Sequence, residues 1–228
     1  MADAAVHTIA VTTHGRYLVR PPETTPARVA VVGFHGYGQR AENMLVELTA
    51  LPGSEAWLLV SVQGLHRFYD RAAQQVIAHW MTHEDRELAI GDNVAYVDAV
   101  VAAVAAAHPI VRLDFVGFSQ GASMASRAAA HAGDRCHGLV LLGGDIAPEV
   151  LASRARLPRT IVGRGTTDAY YSAKQFAADS EALEERGVLA AAARNIGLNS
   201  CPPLNSTAAA RTPRSSSASL SAANCFAL

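Results

Sequence analysis

Short apolar runs alternate with amphipathic stretches from residue 28 to residue 188. Arg28-Val29-Ala30-Val31-Val32-Gly33-Phe34 is near-continuously apolar and rich in valine. Such a run suits a strand buried on both faces, as in a helix-covered parallel sheet. Residues 57–62, 113–116, 138–142 and 159–163 read the same way. Between these runs the period changes to that of a helix. Residues 41–51 carry Met44, Leu45 and Leu48 at helical spacing. Val94, Val97, Val101 and Val104 form a stripe that runs out before Pro109. A small-residue helix follows Ser119 and is stopped by Gly133; another opens with a Ser172/Gln175 capping box and closes at Gly187. At the start, residues 7–19 alternate around His14-Gly15, which predicts a hairpin of Thr8 to Val11 with Arg16 to Val19. A linker turn follows, through Pro21-Pro22 to Pro26. Strands alternating with helices predict an α/β architecture, a mostly parallel sheet with helices on both faces. Residues 143–158 are the only link between the strands at 138–142 and 159–163, too few for a large lid domain.

Composition narrows the function classes. The chain has 228 residues, enough for one domain with a full core, and a formal net charge of −1. No basic run or basic–aromatic interleaving points to nucleic acid. The first residues, Met1 to His7, lack the charged and apolar regions of a secretory signal. The longest apolar run, residues 100–107, is too short to span a bilayer, and Asp98 precedes it. Cys136, Cys201 and Cys225 make an odd count with no framework spacing, as expected of free thiols in a reducing cytoplasm. His79 and His83 stand four apart, but Trp80, Met81 and Thr82 lie between them where the zinc-protease motif needs a glutamate. No third ligand is evident and no metal is expected.

The chemistry concentrates at Gly117-Phe118-Ser119-Gln120-Gly121. With a strand before it and a helix after it, this is the context of a nucleophile elbow. The serine sits on a strained turn that lifts its hydroxyl to the end of the sheet. Gly117 and Gly121 stand where a Cβ would meet neighbouring chain. The helix opening at Gln120 aims free N–H groups at charge building near Ser119. The first buried strand ends in His35-Gly36-Tyr37-Gly38-Gln39. Gly36 and Gly38 allow a tight loop, and the N–H of Tyr37 would pair with that of Gln120 as an oxyanion hole. Asp168, in a loop past the strand at 159–163, lies on the same sheet edge as Ser119 and could orient a catalytic histidine. Asp145, one strand earlier, is the rival. Phe68, Tyr69, Trp80 and Met81 occupy an irregular stretch and either wall a pocket or simply pack.

Residues 28–188 resemble the α/β-hydrolase superfamily, and within it the small, lidless phospholipase/carboxylesterase group related to acyl-protein thioesterases. The resemblance rests on His35-Gly36-Tyr37-Gly38, Gly117-Phe118-Ser119-Gln120-Gly121, Leu142-Gly143-Gly144 and Gly163-x-Gly165-x-x-Asp168, in that order. It implies Ser119 as nucleophile, Asp168 as triad acid and the N–H groups of Tyr37 and Gln120 as oxyanion hole. It implies hydrolysis of small-molecule carboxylic esters or thioesters through an acyl-serine, with no cofactor.

The resemblance breaks at one residue type. The group's histidine follows one further strand after the aspartate. The last of this chain's nine histidines is His137. His131 and His137 precede the next strand and belong at the opposite sheet edge. From about residue 190 the sequence is rich in alanine and serine; no acidic residue follows Glu185 and no valine follows Val188. The pattern predicts a hydrolase domain over 1–188 without its last strand and closing helix, then a disordered or non-native tail over 189–228. A shifted reading frame near residue 190 would produce it. The chain then reads as an impaired serine hydrolase, or as a catalytically silent binding protein that keeps the pocket. Transfer to an acceptor other than water would use the same site.

Overall fold

A computed structural model describes residues 4–23, 26–71, 74–153 and 155–194. Its centre is a seven-stranded sheet. In chain order the strands are β1 (Arg16–Arg20), β2 (Val29–Phe34), β3 (Leu58–Gln63), β6 (Arg112–Phe118), β7 (Gly138–Leu142), β8 (Arg159–Arg164) and β9 (Leu189–Arg194); β4 (His66–Asp70) and β5 (Gln75–His79) form a separate hairpin. The spatial order is β1-β3-β2-β6-β7-β8-β9. Only β1 runs antiparallel to its neighbour; all other pairs in this sheet are parallel. Parallel neighbours require crossovers, and the helices supply them: α1 (Ala41–Thr49), α2 (Arg86–Ala107), α3 (Gln120–Ala132), the short α4 (Pro148–Ala152) and α5 (Ala173–Glu185).

The apolar runs have the burial their composition demands. On one face, Ala30, Val32 and Phe34 of β2 and Leu113 and Phe115 of β6 join Val97, Val100, Val101 and Val104 of α2, Met124 of α3 and Phe176 and Leu183 of α5. On the other, Val31, Val116, Val140 and Ile161 join Met44 and Leu48 of α1. Both faces of β2 are therefore covered, as its unbroken run of apolar residues requires. By length and composition α2 could cross a membrane, but here its valine stripe lies in the core.

Four expectations change. Residues 8–11 form no strand, and β1 pairs instead with β3, Arg16 opposite Gln63 and Arg20 opposite Leu59. Local alternation predicted a hairpin, but a strand needs a partner, and the buried β3 offers more apolar contact. The stretch with Phe68 and Tyr69 is the β4–β5 hairpin, with Phe68 opposite Ile77. The Ser172/Gln175 box forms by half: Ser172 Oγ accepts from Gln175 N at 3.1 Å, while the Gln175 side chain donates to Asp179 at 2.9 Å. Finally, residues 189–194 are not tail. They form β9, parallel to β8 with a bulge near Thr160 and Ile161. The sheet thus has the strand expected to be missing. The expected position of the closing helix and the rest of the tail lie outside the described residues.

Candidate active site

Ser119, Asp168 and the loop of Tyr37 each follow the carboxyl end of a parallel strand, β6, β8 and β2 in turn. Ser119 follows β6 directly and caps α3 with φ 53° and ψ −122°. A non-glycine residue in that region is strained, and such strain persists only where surrounding structure enforces it. Here the enforcement is visible. Ser119 N–H donates to Leu142 O at 2.8 Å, and Ala122 N–H returns to Ser119 O at 2.8 Å. A Cβ on Gly117 would lie 2.3 Å from Gly121 O, and one on Gly121 would lie 2.1 Å from Phe34 O. The turn is pressed between β2 and β7 at spacings only glycine allows.

The loop after β2 is fixed by side chains. His35 is wholly buried and its Nδ1 donates to Gly36 O at 2.7 Å, while its Nε2 accepts from Gly64 N–H at 3.0 Å. Those partners set the tautomer. Burial, more than any other cause, holds its pKa down at about 4. This imidazole is neutral and fully engaged, so it braces the loop. Trp80 stacks on it with ring centroids 5.0 Å apart and donates Nε1–H to His35 O at 2.8 Å. Gln39 Oε1 accepts from Gly36 N–H at 2.7 Å, and Gly38 N–H donates to Ala78 O at 3.0 Å. The N–H of Tyr37, between them, has no acceptor among the described residues. The N–H of Gln120 opens α3 and has no intrahelical acceptor. The Gln120 side chain accepts from Trp80 N–H at 2.9 Å, which ties the elbow to the segment that braces the Tyr37 loop. The loop that carries Tyr37 and the helix start that carries Gln120 are thus tied together through Trp80.

Asp168 stands in the loop after β8, half-buried. Its Oδ1 accepts from Tyr170 N–H at 2.9 Å and Tyr171 N–H at 3.0 Å. Arg164 anchors the same loop through Asp168 O at 2.8 Å. The other oxygen, Oδ2, has no donor among the described residues. It lies 3.3 Å from the Cβ position of Gly143. Asp145, the rival, is exposed; its backbone oxygen accepts from Ser123 of α3 at 3.1 Å. The carboxylate held by two backbone amides is that of Asp168; among the described residues Asp145 Oδ1 accepts only from Ser123 Oγ, at 3.5 Å.

The histidines fall elsewhere. His131 is in the last turn of α3, 3.8 Å from Asp98. His137 accepts from Leu113 N–H at 3.3 Å, at the start of β6 and so at the sheet's opposite edge from Ser119. His79 donates to Met81 O at 2.6 Å and stacks on His66 at 5.1 Å, beside the exposed rings of Tyr37 and Phe68. His83 is exposed. Among the described residues no three His, Cys, Asp or Glu side chains converge as a metal site would need. Of the aromatic residues named for a pocket wall, Trp80 is buried as core and Met81 is half-buried, while Phe68 and Tyr69 are exposed. The bracing roles of His35, Gln39 and Trp80 were not read from the sequence. The partners lie up to 45 residues apart in the chain, so no local spacing encodes them. Cys136 is a free, buried thiol, its pKa pushed up to about 12 chiefly by burial; Cys201 and Cys225 lie outside the described residues.

Comparison with known proteins agrees with this architecture. Residues 53–185 match the family described as alpha/beta hydrolase fold, and the chain belongs to that family. Among solved structures, esterase PE8 is similar at 21% identity and TM-score 0.66, over 82% of this chain and 91% of that one. A carboxylesterase from Mesorhizobium loti is similar at 20% identity and TM-score 0.63, over 81% and 85% of the two chains. Acyl-protein thioesterase 2 from Zea mays is similar at 20% identity and TM-score 0.59, over 83% and 94%. At such identities these likenesses speak for the shared fold. No curated protein matches the chain.

Proposed function

We propose that the site is that of a serine hydrolase acting on small-molecule carboxylic esters or thioesters through an acyl-Ser119 intermediate. One observation carries the reading: Ser119 is held at φ 53°, ψ −122° by glycines that admit no Cβ, with the Asp168 carboxylate fixed nearby. Structural turns do not need a strained serine there.

In this reading Ser119 Oγ attacks the carbonyl carbon. The N–H groups of Tyr37 and Gln120 receive the developing oxyanion, already aimed and without reorganisation. Asp168 is the acid that holds the base. With no lid domain between β7 and β8 the site is open to small or flexible acyl groups. The base is the weak point. No histidine follows His137, so the Ser119 hydroxyl keeps its proton near neutral pH. Losing one triad member costs on the order of 10⁴ to 10⁶ in rate, and an oxyanion hole with binding retains roughly 10³ to 10⁴ over water. Slow, Ser119-dependent turnover is the expected behaviour.

The missing histidine also supports a second reading, a hydrolase-fold protein that binds its ligand without turning it over. Hydrolysis of a short-chain p-nitrophenyl ester by the chain and by Ser119→Ala separates the two. A rate lost in the variant supports the hydrolase. Equal background rates from two folded proteins support the binding protein.

A further inference from the structure

We propose that residues 6–13 form a strand on the open edge of β1 in a second copy of this chain, so that two copies exchange these segments and dimerise. The inference does not depend on the chemistry at Ser119.

The segment Val6-His7-Thr8-Ile9-Ala10-Val11-Thr12-Thr13 is rich in β-branched residues and contains no Asp, Glu, Lys or Arg. It forms no strand, and Val6, Ile9 and Val11 are 88, 87 and 79% exposed. β1 is the end strand of the sheet. β3 covers one of its edges, and no strand among the described residues covers the other. An open edge presents a row of N–H and C=O groups to which another strand can add. Tyr17 and Val19 of β1 are 38 and 41% exposed and, two residues apart, share one face. With the segment antiparallel to β1, a register that sets Val11 opposite Tyr17 sets Ile9 opposite Val19. Four exposed apolar side chains then cover one another. The segment is uncharged at its aliphatic positions, so it brings no like charge against Arg16 and Arg20 at the ends of β1.

Within one chain the two halves of this pair are kept apart. A hairpin of residues 6–13 with β1 would reverse at His14-Gly15. The favoured two-residue turns, and the three-residue turn that ends in a left-handed residue, need a positive φ at His14 or Gly15. Neither residue has one. The same point is clamped from outside. A Cβ on Gly15 would lie 1.9 Å from the ring of Tyr96 in α2, so the glycine is pressed against that ring. Tyr96 OH donates to Arg16 O at 2.6 Å, and Arg67 of β4 donates to His14 O at 3.0 Å. The segment is thus held off its own β1, while the β1 edge of another copy is free to take it. Reciprocal exchange uses the same surface on both copies and closes at two.

The test is the mass of the full chain in solution by size-exclusion chromatography with light scattering, from low to high micromolar concentration. A dimer of twice the chain's 24.0 kDa is expected. Bonded positions alternate along a strand, so of Ile9→Pro and Ala10→Pro, made separately, one removes a ladder donor. That variant should raise the dimer dissociation constant about tenfold or more. Its fold should stay intact by circular dichroism, because both positions lie in the exposed segment. To place the contact, ¹⁵N-labelled Val11→Cys chains are equilibrated with unlabelled Tyr17→Cys chains and oxidised. A disulfide between a heavy peptide with residue 11 and a light peptide with residue 17 is expected, since opposite residues of an antiparallel pair stand within disulfide reach. Each chain carries only one of the two introduced cysteines, so that link forms between copies alone. A monomer throughout the concentration range overturns the proposal. A dimer that both prolines leave intact overturns it, as does a dimer without the link from 11 to 17. A ladder of larger species overturns closed exchange in favour of open-ended edge addition.

Discussion

Ser119 and Asp168 leave different strands, β6 and β8, and meet on either side of one dipeptide, Gly143-Gly144. Ser119 N–H is bonded to the residue before that dipeptide, Leu142 O, at 2.8 Å, and Gly143 N–H is bonded to Gly163 O, on the strand that leads to Asp168, at 2.8 Å. The end of β7 thus links the backbone of Ser119 to the strand that leads to Asp168. A Cβ on Gly144 would lie 2.1 Å from Ser119 O, a backbone atom that cannot swing aside. Gly144→Ala should therefore displace the elbow. We expect a stability loss of about 2 kcal/mol or more and loss of Ser119 acylation, read by thermal unfolding and an ester assay.

The strained serine should be a stability cost carried for chemistry. At φ 53° glycine suffers no Cβ clash, so Ser119→Gly should be more stable than the parent by about 1 kcal/mol while losing all Ser119 chemistry. Denaturant midpoints of the two proteins check this. A destabilised variant would mean that the serine side chain contributes to the fold.

Glycines at other places should respond with opposite sign. A Cβ on Gly121 would lie 2.1 Å from Phe34 O and 2.6 Å from His35 O, whereas one on Gly91, on the exposed side of α2, meets nothing within 4 Å. Gly121→Ala should cost about 3 kcal/mol or more. Gly91→Ala should stabilise by about 0.5–1 kcal/mol, because glycine in a helix interior loses more backbone freedom on folding. Urea unfolding of both variants gives the two signs.

His35 should make stability fall in mild acid. Its folded pKa is lowered to about 4 from an ordinary 6.5, so between these values the unfolded chain binds more protons than the native one. The stabilisation is complete above pH 6.5 and is lost as the pH falls toward 4, by an amount on the order of 3 kcal/mol. His35→Gln should be less stable at pH 7, through lost stacking on Trp80, and should show a flatter profile between pH 6.5 and 4. Unfolding free energies across that range decide it.

What the sequence made legible was what local spacing encodes. The elbow could be read because its glycines, serine and flanking strand and helix lie within a few residues. Buried parallel strands announce themselves as unbroken apolar runs, as in β2. Three elements were not legible for physical reasons. β9 is mostly alanine, with neither alternation nor β-branched residues to mark it; its strand state comes from its partner β8. The β4–β5 turn has no glycine, asparagine or proline, and Gln74 takes a positive φ of 51° in their place. Residues 8–11 alternate like a strand but find no partner. The bracing of the Tyr37 loop by His35, Gln39 and Trp80 depends on contacts between distant residues.

The most direct measurement is the mass of the protein after incubation with a p-nitrophenyl ester, followed by peptide mapping. The account predicts a single acyl adduct on the peptide that contains Ser119, slow to form and slow to clear, and none in Ser119→Ala. A folded protein that acquires no adduct and hydrolyses no faster than Ser119→Ala, or one acylated at another residue, would contradict it.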